Sequence, residues 1–431
     1  IGKNLVDIIL TNNGYNVVNL GIKQPIANIL DAAREHNADA IGMSGLLVKS
    51  TVIMRENLEE MTREDIDVPV MLGGAALTRA YVEEDCVAAY GSGRVAFARD
   101  AFDGLKIMDK VVNGGFDDYA AAVQAKRNSR PSNRRKAVGR PADAAPAPAD
   151  PAETRAVREA LTRELEIVEP PFWGPRVIAR APVQALLPYL NERMLFQFHW
   201  GFRKEGRKLD DYMAWARKEL RPVLKRMVDT VIQQDIMLPQ AVYGYWKAAG
   251  EGNDLVLFGE DGGHEIARFA LPRQAGEDGK CIADYVPDIS AGPEGRGVVG
   301  LQVVTMGQRA ADVAREWFED DRYQDYLYLH GLGVELAEAM AEYVHKRIRA
   351  EMGHAAEEAS DMEGLLNQQY FGSRYSFGYP ACPNLEDQDQ LLRLLGAEAI
   401  GVDLSDEHQL HPEMSTSALV ILHPQAKYFS V

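Results

Sequence analysis

Cysteine is scarce in this chain: three in 431 residues, at Cys86, Cys281 and Cys382, far apart. An odd, dispersed set argues against a disulfide framework, and with no CxxC or Cys/His cluster no zinc site can be read. A reduced, cytoplasmic setting is expected. Long apolar runs are also missing, so no segment suits a membrane-crossing helix, and the first residues carry no signal-peptide pattern. Positive charge is short, with 47 Lys and Arg against 64 Asp and Glu, a net charge of −17. A chain so acidic repels polyanions, so nucleic acid is not expected as a partner, and without a long apolar run neither is a membrane.

What is present is an ordinary globular mixture, 46% hydrophobic and 26% charged, in a chain long enough for two or three domains. Residues 1–115 alternate helix and strand patterns. Ile1, Leu5, Ile8 and Ile9 fall at helical spacing, as do Ile26, Ile29, Leu30 and Ala33. Residues 51–61 form a further helix pattern, and 15–20, 38–43 and 68–72 read as strands. Two of these strands end in small-residue loops, Ser44-Gly45 and Gly73-Gly74-Ala75. The expected fold is α/β, a Rossmann-like (flavodoxin-like) parallel sheet with ligands at the carboxyl ends of its strands. Such a sheet normally opens on a strand near its middle, whereas this chain opens on a helix. Residue 1 is therefore expected to be an internal position of a longer protein.

Residues 116–165 change character. A basic run, Lys126-Arg127 and Arg134-Arg135-Lys136, precedes an Ala/Pro tract at 141–148. Such composition buries too little apolar surface to offset its ordering entropy and reads as a linker. Residues 166–431 differ again. Long helix patterns cover 210–234, broken only at Pro222, and 323–351. Alternating segments at 241–245 and 254–258 flank a turn-like Gly250-Glu251-Gly252-Asn253. This second domain is expected to be α+β, with antiparallel strands and long helices.

Arg374-Tyr375-Ser376-Phe377-Gly378-Tyr379-Pro380-Ala381-Cys382-Pro383 is the densest motif. Gly378 permits close backbone approach, the prolines stiffen the path, and one guanidinium is available to a small charged molecule. From composition alone an ordinary Pro/Gly surface loop is the simpler account. The string resembles the S-adenosylmethionine-binding signature of the activation domain of the cobalamin-dependent methionine synthase family. The later block Lys427-Tyr428-Phe429 is similar to that family's second signature.

The resemblance implies roles residue by residue. Arg374 matches the arginine that holds the ligand carboxylate, Ser376 and Gly378 match backbone contacts, and Tyr379 and Tyr428 match flanking aromatics. Glu338 matches an acidic contact on a helix; without the resemblance it reads as a solvated glutamate beside Glu342 or His345. An acceptor for the ligand's amino group falls on Asn191, with Glu192 as the alternative. The family's Pro-Ala-Pro is replaced here by Tyr375-Ser376-Phe377.

In the first domain the resemblance implies cobalamin contacts at Ser44 and Ser50, with Gly73, Gly74 and Ala75 as the floor of a pocket for the cofactor's tail. Ile1 and Gly2 match the end of an Asp-x-His-x-x-Gly motif whose histidine ligates cobalt, so Gly2 is a cofactor position and no metal ligand is assigned. His36 reads as a capping or solvent-side residue. By resemblance both ends are expected to be cut.

The activity implied is methyl transfer from 5-methyltetrahydrofolate to homocysteine through methylcobalamin. This region would bind cobalamin and carry out reductive reactivation with S-adenosylmethionine. A flavodoxin-like or flavin reductase electron donor is implied, docking through a local basic patch, as are upstream homocysteine and folate domains holding any zinc. The alternative is a non-catalytic carrier or sensor that binds the same two molecules.

Overall fold

A computed structural model describes residues 2–21, 24–45, 48–74, 77–128, 151–204, 206–274, 279–359, 361–405 and 408–429. The chain divides into two compact units, 1–145 and 146–431.

The first unit is built on three parallel strands, β1 (Ile41–Ser44), β2 (Val70–Gly73) and β3 (Val95–Ala98), in that order. Side chains alternate along β2, so Val70 and Leu72 enter one core with Leu30, Met54 and Leu58. Met71 enters another with Leu10, Ala96 and Ile107. Helices therefore cover both faces, as a parallel sheet requires. Helices Gly2–Asn12, Ile26–Glu35 and Val48–Arg63 follow the expected periodicity.

The expected strand at 15–20 is not one. Its alternation exists, since Tyr15 and Val17 are half-buried between exposed neighbours, but no described strand lies beside it to complete a ladder. Tyr15 packs on the second core and donates its hydroxyl to Asp109 instead, at 3.0 Å.

The expected linker is also shorter than 116–165. Phe116–Asn128 is a helix of the first unit, with Phe116 buried and Arg127 paired to Glu84 at 3.3 Å. Pro151–Thr162 is a helix of the second unit, where Arg158 is wholly buried. Arg158 donates to Asp288 at 2.5 Å, to the Gly252 carbonyl at 2.7 Å and to the Ala283 carbonyl at 3.1 Å. Charge balance and apolar anchors at these two ends override the linker-like composition. The remaining tract, 129–150, lies outside the described residues.

The second unit holds an antiparallel sheet in the order β7-β6-β5-β8-β12-β9, with β4 also paired to β5. Its strands are β4 (Gly174–Ile178), β5 (Gln240–Glu251), β6 (Asp254–Phe258), β7 (Glu265–Ala270), β8 (Gly297–Thr305), β9 (Ser373–Ser376) and β12 (Ser415–Ile421). β10 (Asp403–Leu404) and β11 (Leu410–His411) form a small separate pair. The helical pattern at 210–234 resolves into two helices, Leu209–Glu219 and Arg221–Gln233, split just before Pro222. The 29-residue helix Tyr323–Glu351 covers one sheet face, packed with Tyr243, Tyr245, Val304 and Val420. The opposite face buries Val299, Leu301, Val303, Tyr375 and Leu419.

Candidate functional site

β9 is an edge strand, and its only described neighbour is β12. Arg374 lies opposite Val420, which lies opposite Gly300, so all three share the helix-side face of the sheet. That alternation turns the guanidinium toward the Tyr323–Glu351 helix. There Nη2 donates to Glu338 Oε2 at 2.8 Å, and Nε stands 3.6 Å from Glu342 Oε2. Burial alone would lower the pKa of Arg374. The two carboxylates outweigh it and push the pKa up, so the arginine is a fixed cation.

The acids differ. Glu338 retains 45% side-chain exposure and Glu342 only 12%. Behind Glu342 lies Arg349, fully buried, which donates to it at 3.0 Å and grips Glu358 with two bonds of 2.6 and 2.8 Å. Burial works to raise the Glu342 carboxyl, but His345, Arg374 and Arg349 hold it down to about 2. His345, 3.7 Å from the same carboxylate, is itself pushed down by burial.

After β9 the chain makes a tight turn. Gly378 N–H donates to the Cys382 carbonyl and Cys382 N–H to the Tyr379 carbonyl, both at 2.9 Å. Gly378 has φ +84°, a conformation that favours glycine. The turn leaves Tyr379 57% exposed, with its hydroxyl in the field of Glu338 and Arg374. Cys382 is buried and its thiol is pushed well above the usual range by burial, so it packs rather than reacts.

The second signature block is stapled to the segment before β9. Lys427 Nζ donates to the carbonyls of Gln368 and Tyr370 at 2.7 and 2.6 Å, and Tyr428 N–H donates to Gln368 Oε1 at 2.7 Å. Tyr428 then stacks on Tyr375, 6.3 Å between centroids. Arg374 and Glu338 are thus paired, Tyr379 sits on the turn after β9, and Tyr428 lies on Tyr375, with Ser376 half-buried on the same strand.

Asn191 and Glu192 are otherwise engaged. Asn191 Oδ1 caps its own short helix, accepting from Met194 N–H at 3.1 Å, and Glu192 accepts from Arg221 Nε at 2.9 and 3.0 Å. No described hydrogen bond or ion pair links either residue to Arg374. The sequence reading missed the buried support formed by Glu342, Arg349 and Glu358. Its available signal was spacing: 338, 342, 345 and 349 fall on one helical face.

In the first unit the candidate positions gather at the carboxyl ends of β1 and β2. Ser44 is exposed at the end of β1, and Ser50 is half-buried in the first turn of the next helix. Gly45 N–H donates to the Gly73 carbonyl at 3.0 Å. Gly74, at φ +120°, lies so close to that loop that a Cβ would sit 2.0 Å from the Gly45 carbonyl oxygen. Among the described residues, glycine backbone and the Ser44 and Ser50 hydroxyls lie at this rim, which fits close approach by a large ligand. Gly2 opens the first helix, and Ala75 lies outside the described residues. His36 is the carboxyl cap of Ile26–Glu35, at the amino ends of the strands and so at the opposite edge from Ser44. No group of three metal-ligating side chains occurs among the described residues. No helix among them is long and apolar enough to cross a membrane.

These features define a two-part protein, a doubly wound unit with a glycine-built rim followed by an antiparallel unit with an arginine–carboxylate site. The family model "Vitamin B12 dependent methionine synthase, activation domain" matches residues 182–431, and "B12 binding domain" matches residues 1–99. The chain belongs to the vitamin B12-dependent methionine synthase activation-domain family. It is 45% identical to the methionine synthase of Mycobacterium tuberculosis (strain ATCC 25618 / H37Rv) and 44% identical to that of Mycobacterium leprae (strain TN). Each alignment takes in 100% of this chain and 38% of the relative, so the chain spans well under half the length of those proteins. A solved structure of the MetH reactivation domain bound to AdoHcy covers 64% of this chain and 87% of its own. It has a TM-score of 0.56 at 24% identity, a likeness of fold.

Proposed function

We propose that this chain is the cobalamin-binding and reactivation portion of a methionine synthase, binding cobalamin in its first unit and S-adenosylmethionine in its second. The carrying observation is the Arg374–Glu338 pair between the edge strand and the long helix, inside the matched activation domain. Arg374 holds the ligand carboxylate through its outer nitrogens, where a planar guanidinium gives two parallel bonds. Glu338, more exposed and one helical turn from Glu342, moves from Arg374 to the ligand's positive end. Tyr379 and Tyr428 offer ring faces to the adenosine and sulfonium parts. Asn191 Oδ1 already accepts from Met194 N–H and has a second lone pair with which to accept from the ligand amino group.

Ser44, Ser50 and the Gly73-Gly74 floor hold the cofactor's tail by hydroxyl and backbone contact. When bound, cobalamin would supply the metal centre for methyl transfer from S-adenosylmethionine, which would leave as S-adenosylhomocysteine, with one electron drawn from a flavodoxin-like or flavin reductase donor. In the whole enzyme the methyl group otherwise passes from 5-methyltetrahydrofolate to homocysteine, on upstream domains, in the cytoplasm. Calorimetric titration of the Arg374→Ala chain with S-adenosylmethionine tests the reading. Affinity should fall by about 2–4 kcal/mol, and unchanged affinity in a folded variant removes Arg374 from the site.

A further inference from the structure

The two acids on Arg374 are held very differently, and that asymmetry carries an inference resting on the reading that Arg374 binds the ligand carboxylate. Glu338 meets Nη2 from the solvent side. Glu342 meets Nε from beneath and is immobilised by Arg349, which is itself fully buried, locked to Glu358 and laid over the Tyr370 ring at 4.2 Å. We propose that Glu342 is a positioning residue for ligand binding: fixed by Arg349, it holds the Nε edge of Arg374, leaving the outer edge aimed at the ligand carboxylate.

Three features support this assignment. First, Arg374 lies on a short edge strand, where one ladder partner restrains the backbone and a long side chain has many rotamers to lose. A charged anchor beneath the guanidinium removes that freedom before the ligand arrives. Second, Glu342 stays ionised across the physiological range, so the anchor does not titrate away. Third, Glu338 cannot serve as the anchor, because its bond occupies the edge that the ligand needs. A buried carboxylate with a guanidinium on either side is electrostatically satisfied only while both remain in place. Arg349 is held by Glu358, so the adjustable member is Arg374, which settles on Glu342.

The test uses the 431-residue chain and two probes, S-adenosylmethionine and 5′-methylthioadenosine, which keeps the adenosine and sulfur but lacks the carboxylate. Glu342→Gln keeps the shape and an acceptor for Arg349 while removing the charge. Glu342→Asp keeps the charge but withdraws it from Arg374, and covers the case in which the first variant fails to fold. Each should weaken S-adenosylmethionine binding about tenfold and leave 5′-methylthioadenosine binding unchanged. Equal losses for both probes would mean a merely structural role, and no loss for either would remove the positioning role; both overturn the proposal. Arg374→Ala separates the two levels. If it weakens S-adenosylmethionine binding while the Glu342 variants do not, only the positioning role falls. If Arg374→Ala has no effect either, the binding reading falls with it.

Discussion

The two units solve the problem of holding a ligand in opposite ways. At the ends of β1 and β2 the described part of the candidate site is short of side chains: Gly73 and Gly74 lie against the backbone of Ala98 and Gly45, and Ser44 and Ser50 add hydroxyls. At β9 it consists of long charged side chains whose charges are balanced in depth, from Glu338 at the surface through Arg374 and Glu342 to Arg349 and Glu358. A site made of backbone is intolerant of any added atom. A site made of charge is intolerant of any lost one.

The largest effect that would sharpen this contrast is expected away from both sites. Arg158→Met leaves Asp288, the buried Ala283 carbonyl and the half-buried Gly252 carbonyl short of their donor and should destabilise the second unit by about 3–5 kcal/mol. Urea unfolding followed separately for each unit should show the first transition unmoved. Next comes Arg374→Ala, with its loss of about 2–4 kcal/mol in S-adenosylmethionine binding and a fall in melting temperature smaller than that of Arg158→Met, because Glu342 keeps Arg349 as a partner. A large melting shift there would make the charged site a structural strut instead.

Gly74→Ala probes the other kind of site. A side chain at φ +120°, aimed at the Gly45 carbonyl, should cost the first unit about 1–3 kcal/mol and reduce cobalamin uptake, read from the cofactor's absorption spectrum. Undiminished uptake with unchanged stability would mean the glycine rim is not under steric constraint.

The smallest effect concerns pH. Burial raises the Asp387 carboxyl from its ordinary 3.8 to about 6, and one of its oxygens has no partner. Its folded pKa lies above its unfolded one, so the protonated form's stabilisation is complete below about pH 4 and lost as pH rises through 6. Asp387→Asn, which imitates the protonated form, should therefore stabilise the second unit by about 1–2 kcal/mol above pH 6 and by nothing below pH 4. A gain independent of pH would mean that the carboxyl titrates normally.

Legibility from sequence also differed between the units. Helical periodicity placed Tyr323–Glu351 at its observed ends, because 29 residues of consistent pattern average out local noise. The motif around Gly378 was readable because its turn chemistry is local. The strand at 15–20 was misread because alternation shows that one face is buried and says nothing about whether a neighbour exists to pair with. Arg158 and Arg127 were hidden inside linker-like composition, since their partners lie far along the chain or in backbone groups that composition cannot display. Asn191 and Glu192 could not be separated beforehand for the same reason: Arg221, which occupies Glu192, is 29 positions away.

The Tyr323–Glu351 helix has a mechanical consequence. At 1.5 Å per residue its 29 residues make a rod about 44 Å long, with Glu338 and Glu342 near its centre. Its seating is fixed by close approaches at several stations. Gly331 lies against His199 and Trp200, Gly333 against Met414, and Ile348 against Gly300 of the sheet. A rod pinned at separate fulcra converts a small lift at one into a tilt of everything it carries. The placement of Glu338 and Glu342 opposite Arg374 is therefore exposed to changes at those distant stations, and adding one methyl group at Gly333, where it would press on Met414, should shift it by leverage.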